Sequence, residues 1–118
     1  MEPDALLPLN PRDYLILFSL VSSRRHGYGI VKDVERQSGG RVQLDPANLY
    51  RSIKRLVRDG LVTEAEVDSA SGDPDDRRRY YAMTEFGHRV VALEAARLAG
   101  LADAARSRKL IPQDGSER

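Results

Sequence analysis

Apolar residues crowd the stretch from Tyr14 to Val21, where Tyr14, Leu15, Ile16, Leu17, Phe18, Leu20 and Val21 leave little of a helix circumference polar. A helix of that kind is buried on several sides. Asn10 followed by Pro11 supplies an N-cap and a proline at the first helical position, so the pattern predicts a helix from Pro11 to about Ser23. The residues before it, 1–9, read as a loose tail, and Arg24 to Gly27 as a polar junction. A second helix is predicted over about Tyr28 to Ser38, with Ile30, Val31 and Val34 as its inner stripe; Gly39 and Gly40 end it. Val42 and Leu44 alternate with polar residues, as in a very short strand.

Asp45-Pro46 repeats the cap-and-proline signal. The third predicted helix runs from Pro46 to Asp59 and stops at Gly60, with Leu49, Ile53, Leu56 and Val57 on one face at i, i+4, i+7 and i+8. Leu61, Val62, Ala65 and Val67 fit a strand, and Arg79 to Met83 a returning strand. Between them Asp68 to Asp76 is rich in Ser, Gly, Asp and Pro, the composition of a turn or loop. Thr84 caps a last helix over about Glu85 to Lys109, and residues after Pro112 form a tail. One of the adjacent residues Tyr80 and Tyr81 faces the core, because neighbours on a strand point to opposite sides; the pattern does not say which. The fold class is mainly α with a small β-hairpin. Three helices, a hairpin and a long helix are the order of a winged helix-turn-helix with an added arm, although periodicity also allows a small helical bundle carrying a hairpin. The organisation expected is a tail (1–9), a winged helix-turn-helix (10–83), a dimerisation helix (84–110) and a second tail (111–118).

Composition narrows the chemistry. The 118 residues contain no Cys, which excludes disulfide scaffolds, thiolate metal sites and cysteine nucleophiles. No apolar run is long enough for a membrane span, and the basic n-region and apolar h-region of a signal peptide are not visible, so a cytoplasmic location is expected. Net charge is only +1, from 19 basic and 18 acidic residues, so the distribution of charge carries more information than its sum. Neither His26 nor His88 has a carboxylate or nucleophile at motif spacing, and no phosphate-cradling glycine loop is present. Asp73, Asp75 and Asp76 lack the Gly and Glu of an EF-hand loop. No enzyme, cofactor or metal site is therefore expected.

Two cationic clusters remain. On the third helix Arg51, Lys54, Arg55 and Arg58 lie away from the apolar stripe, with Asn48 and Tyr50 near its start. A helix that enters a major groove buries one side and offers long donors on the other; Asn pairs with adenine and Arg with guanine. The bland reading is a solvated basic face. Arg77, Arg78 and Arg79 at the hairpin edge suit a wing lying along phosphates, or simply a charged edge that prevents sheet pairing. This topology puts both clusters on one side of the molecule. The last helix carries many alanines, with Val90, Leu93, Leu98 and Leu101 as candidate knobs for a twofold dimer; the other reading is a helix folded back on its own domain.

Three segments resemble the PadR family of bacterial transcription regulators: His26-Gly27-Tyr28-Gly29-Ile30; the run from Leu49-Tyr50-Arg51-Ser52-Ile53 to Asp59-Gly60-Leu61-Val62; and Arg77-Arg78-Arg79-Tyr80-Tyr81 through Thr84-Glu85-Phe86-Gly87. Their order and spacing agree with the family over about residues 9–110. The resemblance implies a homodimeric repressor on double-stranded DNA with a pseudo-palindromic operator. Tyr50, Arg51, Lys54 and Arg55 become DNA contacts, the wing arginines phosphate contacts, and Gly27 and Tyr28 structural residues at the turn into the second helix. Family analogy also admits, without requiring, a small-molecule effector such as a phenolic acid; its existence and identity stay open. Two positions depart from the family. Asn48 stands where members often carry a small hydroxyl residue, and the chain has no Trp, the residue on which multidrug-sensing members stack aromatic compounds. The alternative function is a winged-helix module that docks a protein and binds no DNA.

Overall fold

The computed structural model describes residues 2–66 and 79–113. Its helices are α1 (Pro11–Ser19), α2 (Gly27–Gln37), α3 (Pro46–Arg58) and α4 (Glu85–Ser107), and its strands β1 (Arg25–His26), β2 (Val62–Glu66) and β3 (Arg79–Met83). The strands form one antiparallel sheet in the order β1-β3-β2. Arg25 pairs with Tyr81 on one side of β3, and Val62 with Met83 on the other. This is the winged helix expected from the order of elements, with α4 as its added arm.

Local chemistry fixes the helix starts. Asn10, Asp45 and Thr84 each accept a hydrogen bond from the backbone N–H three residues on, at Asp13, Asn48 and Gly87. Each thereby satisfies one of the donors that a helix start leaves unpaired. His26 does the same for α2: its Nδ1 accepts from the Gly29 N–H at 3.1 Å. That bond requires a neutral ring with the proton on Nε2.

The core gathers Ile16, Leu17 and Leu20 from α1, Ile30 and Val34 from α2, Leu49, Ile53 and Leu56 from α3, Leu61, Val62 and Tyr81 from the wing, and Val90 and Val91 from α4. Of the tyrosine pair, Tyr81 is the buried one. Four differences from the sequence expectation stand out. First, α1 stops at Ser19, whose hydroxyl donates to the Ile16 carbonyl at 2.6 Å. Second, Val42 and Leu44 form no strand: the Val42 N–H is taken by the Ser38 hydroxyl, and the extra strand is Arg25–His26. Third, the segment before Asn10 is not loose. It forms a 3-10 turn (Pro3–Leu6), Leu6, Leu7 and Leu9 pack on the core, and the Leu9 N–H donates to buried Glu94 at 3.1 Å. Fourth, the start of α4 belongs to the same core as the helix-turn-helix; among the described residues none after Glu94 is buried.

Candidate nucleic-acid interface

The position of α3 follows from both of its ends. Asp45 caps its start. At its end Gly60 adopts a φ of +81°, which turns the chain into β2. The Gly60 carbonyl accepts from the Thr84 hydroxyl at 2.6 Å, and the Leu61 carbonyl from the Thr84 N–H at 3.0 Å. One threonine therefore ties the exit of α3 to the entry of α4. Gly87 lets the two approach: a Cβ there would lie 2.3 Å from the Leu61 carbonyl oxygen. The second and third sequence motifs meet at this junction.

Held this way, α3 buries Leu49, Ser52, Ile53 and Leu56 and turns Tyr50, Arg51, Lys54 and Arg58 outward. Val57, expected on the buried stripe, sits at its edge and is 36% exposed. The outward face has two flanks. On one, Tyr50, Lys54 and Val57 look across a 400 Å³ cleft to Glu64, Arg79 and Tyr81 of the wing. On the other, Asn48 borders a 570 Å³ cleft against the start of α1 and residues 41–43. The start of α2 shares this surface, since the Tyr50 hydroxyl lies 3.3 Å from where a Cβ on Gly27 would be.

The cations of α3 differ in how free they are. Arg55 is spoken for. Its Nη2 donates to both carboxylate oxygens of Asp13 on α1, at 2.6 and 2.7 Å, and the Asp13 side chain is only 8% exposed. It therefore acts as a strut between α1 and α3 rather than as a free donor for DNA. Arg51 donates to Asn48 Oδ1 at 3.0 Å, while Asn48 donates to Asp45 Oδ2 at 3.1 Å. This surface relay leaves most of the Arg51 guanidinium exposed to a partner. Arg58 contacts Asp59 at 3.4 Å, and Arg79 reaches Glu64 at 3.8 Å; both arginines are highly exposed. Lys54 is exposed. Arg77, Arg78 and the Asp68 to Asp76 loop lie outside the described residues. Burial raises the Tyr81 phenol pKa, with Tyr50 and Glu64 adding to the effect, so Tyr81 stays a neutral core residue.

Tyr28, expected to be structural, is 66% exposed; its ring stacks on His26 and has the Lys32 ammonium 5.4 Å from its centre. Arg12 and Arg41 on the far cleft were not singled out in the sequence either. Neither falls in a cationic cluster along the chain, and only the fold brings them beside α3.

The proposed dimer residues divide. Val90 is fully buried in the chain's own core, so it cannot serve a contact between chains. Leu93, Leu98 and Leu101 are 42%, 37% and 56% exposed, followed by exposed Leu110 and Ile111. Glu94 was missed. It is buried among these residues, accepts from Arg97 Nε at 2.6 Å and Nη2 at 2.8 Å, and receives the Leu9 N–H. The Arg97 hydrogen bonds hold its carboxyl below the usual glutamate range.

Comparison with known proteins agrees with this architecture. The structure resembles a PadR family transcription regulator from Clostridium difficile R20291, with a TM-score of 0.67, 21% identity, and coverage of 81% of this chain and 95% of that one. It resembles a PadR-like regulator from Bacillus cereus with a TM-score of 0.68 and 16% identity over 80% of this chain and 87% of that one. Bacillus subtilis PadR, solved in complex with operator DNA, aligns over 72% of this chain and 46% of its own length at a TM-score of 0.60 and 20% identity. No curated protein sequence matches the chain. The model of the transcriptional regulator PadR-like family matches residues 16–93, from α1 through the first turns of α4. By the three interlocking motifs, the winged helix they build and this match, the chain belongs to the PadR-like family of transcriptional regulators.

Proposed function

We propose that this regulator is a homodimeric repressor that binds double-stranded DNA by placing α3 in the major groove. The observation that carries the reading is the two-sidedness of α3: a buried side of Leu49, Ser52, Ile53 and Leu56 locked into the core, and an outer side of Asn48, Tyr50, Arg51, Lys54 and Arg58 with no part in it. The fold gains nothing from that concentration of cations, whereas a duplex supplies phosphates and base edges to meet them. The wing borders the same face through Arg79, where it can follow the backbone. The operator complex of Bacillus subtilis PadR supports DNA as the partner class.

The second half of the proposal concerns α4. Beyond Glu94 it runs thirteen further residues to Ser107 without a buried side chain, about 20 Å of helix at ~1.5 Å per residue. Leu98 and Leu101 with Ala102 and Ala105, at i, i+3, i+4 and i+7, form an apolar stripe that a second copy of α4 would cover. A twofold dimer built there presents two α3 helices to half-sites about 34 Å apart or a multiple of that. An effector that alters the angle between the two arms would alter that separation and so release the DNA.

The test is a fluorescence-anisotropy titration of duplex from the region upstream of the coding sequence, against a shuffled duplex, at two salt concentrations. Tighter binding to the upstream duplex with a steep salt slope is expected. Arg51→Ala and Lys54→Ala should each weaken it, by about 1–3 kcal/mol where the side chain reads a base. Absence of binding to either duplex at low salt overturns the proposal and favours the protein-docking alternative.

A further inference from the structure

The cleft on the wing side of α3 is where the helix-and-wing reading already places DNA. The cleft on its other side carries a second assignment. It is lined by Asn10, Pro11, Arg12, Arg41, Val42, Gln43 and Asn48 and measures 570 Å³. Most of its polar groups are occupied. Asn10 Oδ1 accepts the Asp13 N–H at 2.8 Å and its Nδ2 donates to Asp13 at 3.2 Å. Asn48 is held between Asp45 and Arg51, and the Gln43 amide donates to the Gly40 carbonyl at 3.3 Å. Pro11 has no N–H.

Arg12 and Arg41 are what remains. Both are exposed, and among the described residues neither has an ion pair or a side-chain hydrogen bond. No carboxylate lines the cleft. The two come from distant parts of the chain and are brought to one opening by defined backbone geometry. Arg12 sits in the first turn of α1. Arg41 follows Gly39 and Gly40, whose φ angles of +64° and +83° reverse the chain after α2. Its N–H is fixed on the Ser38 carbonyl at 3.2 Å. Two unpaired guanidiniums facing one opening repel each other and do nothing for the fold; together they present a forked set of donors to an anion with several oxygens.

We propose that Arg12 and Arg41 grip the sugar–phosphate backbone of one DNA strand on the α1 side of α3, opposite the strand followed by the wing. The assignment rests on the DNA-binding reading above and extends it. A major groove is about 12 Å wide and is bounded by a phosphate strand on each side. A helix seated in it with its N-terminal residues at the bases brings those strands past its two flanks. The flanks of α3 are the two clefts, and each holds cations: Lys54 and Arg79 in one, Arg12 and Arg41 in the other. The open cleft suits a strand passing over it better than an enclosed small anion.

The experiment compares full-length wild type, Arg12→Ala, Arg41→Ala, the double variant and the double Lys replacement, on the upstream and shuffled duplexes across a salt series. Each Ala replacement is expected to weaken both duplexes alike, by roughly eightfold per protomer at 0.1 M salt, and to flatten the log–log salt slope by about 0.9 per protomer. The Lys pair should keep most of the slope, since it keeps the charge. Thermal melts identify a variant that has merely lost its fold, and the Lys pair then decides the matter. Unchanged affinity and slope in the Ala variants, with wild type binding normally, overturns the grip and leaves the DNA reading standing. A loss confined to the upstream duplex, with no slope change, overturns it in favour of base reading. Calorimetry with inorganic phosphate alone should show no saturable binding at millimolar concentration; binding that the double variant abolishes would reassign the cleft to a free anion. A wild type that binds no duplex fails the underlying reading itself.

Discussion

Replacing Asp13 by Ala tests whether Arg55 is a structural arginine, distinct from the arginine proposed to read DNA on the same helix. Asp13 takes two hydrogen bonds from Arg55 at 2.6 and 2.7 Å and one from Asn10 at 3.2 Å, at a site where its own side chain is 8% exposed and that of Arg55 36%. Hydrogen bonds to a charged group contribute about 1.5–3 kcal/mol. Removing one member of a fully buried pair costs about 3–5 kcal/mol, because the other is stranded. Here Arg55 is exposed enough to regain water, which pulls the expectation to about 2–3 kcal/mol, including the loss of an acid in the first turn of α1. With a urea m-value of about 1–1.5 kcal/mol/M for a chain of this length, the midpoint falls by roughly 1.3–3 M. Protein concentration must be held fixed if the chain dimerises. Arg55→Ala and the double variant complete a cycle, with a coupling energy of about 1–2 kcal/mol expected. Arg51→Ala, on the solvent side of the same helix, should stay within about 0.5 kcal/mol of wild type. The reasoning is refuted if Arg55→Ala leaves the midpoint unmoved while weakening DNA binding as much as is expected of Arg51→Ala. Arg55 would then be a DNA contact that merely rests on Asp13.

Other expectations follow from single contacts. Gly87→Ala drives a Cβ into the Leu61 carbonyl and should destabilise by about 1–3 kcal/mol or more by overpacking, read from the thermal midpoint. Glu94 has a folded-state pKa held below its unfolded value, so its contribution is fully present above about pH 5 and is lost as pH falls through the lower folded value; Glu94→Gln should flatten that acid limb in a pH series of urea melts. Leu98→Asp with Leu101→Asp puts charge on the exposed stripe of α4 and should yield a folded monomer in sedimentation, with circular dichroism unchanged; a dimer that survives places the contact elsewhere.

Much of the architecture is legible because it is written locally. Asn10, Asp45 and Thr84 announce their helices by the residue types that cap, and all three are found capping. The i, i+4, i+7 spacing of Leu49, Ile53 and Leu56 orients α3 before any tertiary contact is known. What escaped depends on partners far along the chain. The two-residue strand Arg25–His26 has no alternation to detect and exists because β3 arrives beside it. Val90 and Leu98 look alike on a helical wheel, and only the position of the core decides that one belongs inside and the other faces out. Among four cations on α3, periodicity cannot tell that Asp13, 42 positions earlier, has claimed Arg55. Arg12 and Arg41 look unremarkable in sequence for the same reason.

The bond from the Leu9 N–H to Glu94 joins residues 85 positions apart, next to the helix cap at Asn10. Chain ends ordinarily fray, and their amides exchange with solvent deuterium almost as fast as in a free peptide. This segment is held by a buried carboxylate and by the packing of Leu6, Leu7 and Leu9 on the core, so peeling it away costs a hydrogen bond to Glu94 and exposes those side chains. The Leu9 amide is therefore expected to exchange more slowly than that of a frayed segment. Its exchange rate reports the docking of the C-terminal arm from the opposite end of the chain.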